Sequence, residues 1–182
     1  MNNQIENIKK NSKLMNKILF FVMSIILIAA VALIIITIDL SIRYHQDKTL
    51  GNLLPYFSFN GKSINNQETF LSLLPSIIST LCWIVLIEIV LFKLTRVFST
   101  INTENTPFST KVLNHLKQIF IILLISSFLP NVIESLLVMN LMVIGDTSLV
   151  NGGSLIVALI TFSLVKIFDY GVSLQIENDQ TL

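Results

Sequence analysis

The chain has 182 residues, of which 53% are hydrophobic and only 13% charged, and its mean hydropathy is +0.76. Soluble domains carry about 25% charged residues, so half of the charge that keeps a globular surface hydrated is missing. The net charge of +1 gives no basic field for direct binding of nucleic acid, and the single cysteine, Cys82, excludes an internal disulfide. The apolar residues form long blocks, which is typical of helices in a membrane.

The first apolar block runs from Ile18 to Ile38 without a charged residue. As a helix it would extend about 30 Å, the thickness of a bilayer core. Lysines precede it, as they precede the apolar part of a signal peptide, but that part has only about 7–15 residues. The block therefore predicts a first span that is not cleaved.

Three further blocks follow. The second runs from Phe70 to Phe92, and the fourth begins after the glycine pair at 152–153. The third begins after Lys117 and is interrupted by Pro130 and Glu134. Two interpretations of this third block stay open: one long helix kinked near Pro130, or a broken element.

We therefore predict an all-α membrane protein with four transmembrane helices, at about residues 18–40, 70–92, 117–144 and 154–173. A cytoplasmic N-terminal segment, residues 1–17, precedes the transmembrane domain, residues 18–175, and a cytoplasmic tail, residues 176–182, follows it.

Lysine and arginine concentrate in the cytoplasmic segments of membrane proteins. Eight of them precede the first span or lie between the second and third spans, against three in the loop after the first span. This asymmetry predicts that both termini are cytoplasmic. The expected location is the inner membrane of a bacterial cell, crossed several times.

Charged residues inside the spans are costly, by about 2.5–3.5 kcal/mol on insertion scales, so each needs a partner or a role. Glu88 and Lys166 both fall in the inner half of the bilayer. One hypothesis is that they pair across the bundle, and the alternative is that each side chain reaches the cytoplasmic headgroups separately.

Glu134 falls in the outer half of the bilayer, shortly after Pro130. A kinked helix with a carboxylate would line a polar cavity, as in transporters. The alternative is a lone carboxylate that caps the kink or stays protonated. Catalytic triads, phosphate-binding glycine loops and metal-ligand spacings do not occur, so we expect a non-enzymatic protein with no catalytic residues, metal or cofactor.

Two stretches outside the spans are more specific. The first, Asn105-Thr106-Pro107-Phe108-Ser109, is typical of a helix start because Ser109 is able to cap the next turn. The second is the C-terminal stretch, whose distinctive residues are Tyr170, Gly171, Leu174, Gln175, Glu177, Asp179, Thr181 and Leu182. We treat these residues as a candidate docking region: Pro107, Phe108, Ser109, Tyr170, Gly171, Leu174, Gln175, Glu177 and Asp179.

These residues, over nearly the whole chain, resemble the domain-of-unknown-function family 2975 of small bacterial membrane proteins. That family has four spans, a Pro-Phe-Ser helix start before the third, and an ending of the form Y-G-x-x-L-Q-x-E-x-D-x-T-[LI]. Asn105-Thr106 replaces the glycine-lysine that usually precedes the proline.

The resemblance implies a regulatory or accessory protein, because genes of the family often neighbour a small helix-turn-helix regulator. The expected partners are the bilayer and a cytoplasmic protein, with homo-oligomerisation left open. The acidic tail would meet a basic surface, or Gln175 and Glu177 would cap the bundle against Lys111 and Lys117. The alternative functions are protection against peptide antibiotics or stress, and a small transporter subunit.

Overall fold

The computed structural model describes residues 2–47, 58–59, 62–63, 70–104, 106–142 and 148–180. The helices are α1 (Asn2–Asp47), α2 (Phe70–Glu104), α3 (Thr110–Leu141) and α4 (Gly152–Gln180). Two strands of two residues, β1 (Ser58–Phe59) and β2 (Lys62–Ser63), pair antiparallel between α1 and α2. Apart from this short pair, the predicted all-helical fold class is confirmed.

Within the described residues, four helices are long and apolar enough to cross a membrane, as predicted. Their lengths are 46, 35, 32 and 29 residues, whereas about 20 residues suffice for a bilayer core. The residues beyond the length needed for a span are polar at several of the helix ends. The predicted N-terminal segment, residues 1–17, lies in the first part of α1 from Asn2 onward, and the predicted tail is helical as far as Gln180.

The third apolar block forms one continuous helix, α3, with Pro130 inside it. A proline lacks the backbone N–H that would bond to the preceding turn, so nearby carbonyls need other donors. The neighbouring carbonyl oxygen of Ser127 accepts from the backbone N–H of Asn151, just before α4, at 2.8 Å. Because α3 is continuous through Pro130, the broken element is excluded.

The helices pack in the order of the sequence: α1 on α2, α2 on α3, and α3 on α4. The Ser12 hydroxyl donates to the Phe98 carbonyl, and the Thr106 hydroxyl donates to Gln175. The start of α1, the end of α2, the start of α3 and the end of α4 therefore lie at one end of the bundle. We call this end, formed by residues 2–17, 93–117 and 166–180, the termini face.

Two groups of buried residues hold the helices together. The larger lies among α2, α3 and α4, with Val112 and Ala158 fully buried at its centre, and the smaller joins α1 and α2 around Ile77. Outside these groups, large apolar side chains cover the helix surfaces and are exposed, among them Phe21, Ile35 and Met139. Such a surface suits lipid and would be unfavourable in water.

Candidate functional site

The segment between α2 and α3 is shaped by side chains that replace missing backbone hydrogen bonds. Ser109 is the N-cap of α3, and its hydroxyl accepts from the backbone N–H of Val112 at 3.3 Å. The Thr106 hydroxyl accepts from the backbone N–H of Phe108 at 3.2 Å. A capping serine satisfies donors that the first helical turn leaves free, so the predicted helix start at Pro107-Phe108-Ser109 forms for local reasons.

Phe108 packs against α4, which places the two distinctive stretches of the sequence in contact. Its ring lies 5.5 Å from the ring of Phe168, centroid to centroid, with the planes tilted by 48°. The ring also covers Gly171 so closely that a Cβ atom at that position would lie 2.4 Å from Phe108 Cδ1 and 2.6 Å from Cε1. Gly171 is therefore the notch into which Phe108 fits.

A hydrogen bond one turn further along α4 strengthens this contact. The Thr106 hydroxyl donates to Gln175 Oε1 at 3.1 Å. Thr106 is where the sequence departs from the usual family pattern. Its contact with Gln175 was not predicted, because a hydroxyl in a connecting segment gives no sign of the helix that it will meet.

An ion pair closes the turn from α2 to α3. Lys111 Nζ lies 2.7 Å from Glu104 Oε1. The hydrogen bond from Lys111, followed by that from Ser109, lowers the pKa of the Glu104 carboxyl, and the bond to Glu104 raises the pKa of Lys111. The stabilisation is present above the ordinary pKa of the carboxyl and is lost as the pH falls through the lowered value. Both groups are reached by solvent, so the effect on stability is small.

A second ion pair, between Lys117 Nζ and Asp169 Oδ1 at 3.6 Å, joins α3 to α4. It marks the level at which both helices change from apolar to polar composition. In the capping interpretation, Lys111 and Lys117 would meet Gln175 and Glu177. Among the described contacts, these lysines instead meet Glu104 and Asp169, and Gln175 meets Thr106.

The candidate docking residues therefore fall into two groups. Phe108, Ser109, Gly171 and Gln175 make contacts within the protein. The remaining described residues on α4 point outward and are exposed: Tyr170 at 66%, Leu174 at 46%, and Glu177. The side chain of Asp179, and residues 181 and 182, lie outside the described residues. Pro107 is half-buried beside Phe108.

The structure does not bring Glu88 and Lys166 together. Glu88 lies on the side of α2 that faces α1, in a groove with Met23 and Leu27. Lys166 lies on α4, at the opposite edge of the row of helices, and its ammonium group is 5.5 Å from the centre of the Phe162 ring. Its side chain is exposed, and the ammonium group lies toward Phe162, one turn further from the termini face. The alternative, that the two side chains reach the cytoplasmic headgroups separately, stays a prediction.

Glu134 is 6% exposed and accepts a hydrogen bond from the Ser76 hydroxyl at 2.7 Å. Ser76 follows Pro75 in α2, and Glu134 follows the buried Pro130 by one turn in α3. The carboxylate thus joins two proline-containing helix segments across the α2–α3 interface. This contact was not predicted, because Ser76 is one of many serines in the spans and the sequence does not mark it as the partner of Glu134.

The sequence model of a protein family, described as "Protein of unknown function (DUF2975)", matches residues 59–182. The match includes α2, α3, α4 and both distinctive stretches, and it begins after α1, so it is shorter than the resemblance over nearly the whole chain. No protein of curated function and no solved structure matches the chain. Because the matched segment includes well over half of the residues, the chain belongs to this family of proteins of unknown function.

Proposed function

We propose that this protein is a non-enzymatic accessory protein of the bacterial cell membrane that binds a cytoplasmic protein at its termini face. The orientation follows from charge. The termini face carries Lys9, Lys10, Lys13, Lys17, Lys93, Arg96, Lys111 and Lys117. Positively charged residues of short loops stay on the cytoplasmic side of a membrane, so the termini face is the cytoplasmic one.

The observation that carries the proposal is the outward side of the last turns of α4. Tyr170, Leu174 and Glu177 follow one another at intervals of four and three residues, so they lie on one side of the helix. Leu174 lies beyond the level of the Lys117–Asp169 pair, so lipid does not cover it. An exposed apolar residue in water, on a helix with an acidic neighbour, is typical of a helix that docks in a groove of a partner.

The inward side of the same helix is held in place. Phe108 lies in the notch at Gly171, and Thr106 is bonded to Gln175. A binding helix that is ordered beforehand loses less entropy when the partner arrives. The contacts between the two distinctive stretches thus support the outward side of α4 rather than forming the docking surface themselves.

The charge of this segment indicates the chemistry of the partner. No lysine or arginine follows Lys166, whereas Glu177 and Asp179 are acidic. An anionic membrane surface would repel the segment, and a basic protein surface would attract it. A small helix-turn-helix regulator fits, because DNA-binding domains carry such basic surfaces. Binding at the membrane would keep the regulator from its DNA.

Photocrosslinking in cells tests the proposal. With p-benzoylphenylalanine in place of Leu174, we expect a crosslink to a small basic DNA-binding protein, identified by mass spectrometry. The same amino acid in place of Met142, which is 93% exposed at the end of α3 opposite the termini face, is the matched control and should not give that product. A second substitution, Glu177→Lys, should abolish the crosslink that forms at position 174. The proposal is wrong if the product persists with Glu177→Lys or if no basic protein is crosslinked.

The orientation is tested separately by labelling with a membrane-impermeant maleimide in a Cys82→Ser background. Met142→Cys should react in intact cells, because Met142 is 93% exposed at the end of α3 that lies opposite the termini face. Ser173→Cys, which is exposed near the end of α4, should react only after the membrane is permeabilised. Labelling of Ser173→Cys from outside intact cells would contradict the cytoplasmic placement of the termini face.

A further inference from the structure

A groove lies between α1 and α2, on the edge of the bundle that is far from α4. Its volume is about 420 Å³. Its walls are apolar side chains of both helices, including Met23, Leu27, Ala30, Ile84, Ile89 and Phe92. It is open toward the lipid, because the neighbouring surface of α1 consists of exposed apolar residues such as Phe20 and Leu27.

Glu88 is the charged residue in this apolar wall, and its Oε1 atom is buried without a hydrogen-bond partner. The other carboxylates in or near the spans differ in this respect. Glu134 accepts from Ser76, and Asp169 meets Lys117. A carboxylate inside a membrane is costly unless a positive or hydrogen-bonding group compensates it. The Glu88 groove therefore combines apolar walls with a carboxylate oxygen that no group of the described residues compensates.

We propose that the Glu88 groove binds a lipophilic organic monocation, such as a quaternary ammonium or phosphonium ion with an apolar body. The carboxylate would neutralise the charge, and the apolar walls would bury the body of the ligand. The volume lies near the lower limit of the range for small-molecule pockets, about 300–1,000 Å³, so a compact ion fits and a two-chain phospholipid does not.

Two features of the groove favour an organic cation over a metal ion. A single carboxylate does not provide the six to eight oxygen ligands that Ca²⁺ takes, and apolar walls offer no others. Phe92, in contrast, contributes an aromatic ring to the wall. The face of an aromatic ring attracts an organic cation.

The ligand would enter sideways from the inner leaflet. Glu88 lies five residues before Lys93, which marks the cytoplasmic end of the second span, so it is about 7 Å inside the bilayer core. Lipophilic cations concentrate in the membrane, and a groove open to lipid receives them without a path through the bundle. The site is separate from the docking side of α4, so this inference does not depend on the proposed partner.

Equilibrium binding of radiolabelled tetraphenylphosphonium to the full-length protein in lipid nanodiscs tests the inference. Nanodiscs without protein give the partitioning into lipid, which is subtracted. We expect saturable binding to the wild-type protein, weakened about tenfold or more in Glu88→Gln because the desolvated charge partner is lost. Glu6→Gln removes an exposed carboxylate near the start of α1 and is the matched control, with unchanged binding.

A second variant tests the space in the groove separately from the charge of Glu88. Ala30→Phe fills the groove while Glu88 is kept, and it should also abolish saturable binding. Thermal unfolding of each variant establishes that the loss is not due to misfolding. Binding that is equally tight in Glu88→Gln, or no saturable binding to the wild type, would overturn the inference. So would a smaller oligomer in Ala30→Phe without ligand, because a second copy of the chain would then occupy the groove.

Discussion

Gly171→Val is expected to destabilise the protein by about 1–3 kcal/mol, the usual range for a side chain inserted into a filled space. The reason is the 2.4 Å that would separate a Cβ atom at this position from Phe108 Cδ1. Phe108 would have to leave its notch, and the start of α3 would lose its contact with α4. Chemical or thermal unfolding in mild detergent measures the change.

A double mutant isolates the contact between the two residues. Phe108→Ala should cost clearly less in the Gly171→Val background than in the wild type, because the packing that it removes is already lost. Gly152→Val is the matched control at the other end of α4, where nothing lies within 4 Å of a Cβ atom. Additive effects of Gly171→Val and Phe108→Ala would show that the notch does not hold the two stretches together.

Glu134→Lys is expected to have the larger effect, about 3–5 kcal/mol, since it buries a positive charge without a partner. The carboxylate is 6% exposed and accepts from the Ser76 hydroxyl, which an ammonium group is unable to replace as an acceptor. We expect little folded protein in the membrane. The yield of monodisperse protein after extraction, together with its unfolding temperature, measures the effect.

Glu134→Gln is the matched control, because its amide oxygen accepts from Ser76 in the same way. It should be close to the wild type in stability. Ser76→Ala should cost less, about 0.6–1.7 kcal/mol, as measured for other hydrogen bonds between helices in membranes. If Glu134→Lys is as stable as Glu134→Gln, the buried contact between α2 and α3 does not contribute to the fold.

The four helices were predictable because composition alone separates membrane spans from soluble helices. Whether the third apolar block forms one helix or a broken element was not predictable. Pro130 removes a backbone donor whether the helix continues past it or ends there, so the sequence alone does not decide between the two. The helical start of α1 was also not predicted, because its polar residues gain support from a distant contact, between Ser12 and Phe98.

The candidate site was predictable as two stretches but not as one contact. The sequence gives the depth of a residue in the membrane, since each residue of a helix rises by 1.5 Å. It does not give the neighbour that a helix side will face. Glu88 and Lys166 have similar depths, yet Glu88 faces α1 and Lys166 lies on α4. For the same reason, the fit of Phe108 on Gly171 could not be anticipated.

The order in which the helices pack has a consequence for biogenesis. Within the described residues, each helix packs on its predecessor in the chain, and the backbones of α1 and α4 do not approach each other. A helix that leaves the ribosome and enters the bilayer therefore finds its partner already inserted. Contacts between neighbours in sequence need only short loops to close, so they form early. Assembly would proceed span by span during synthesis, and the docking of Phe108 on Gly171 would be its last step.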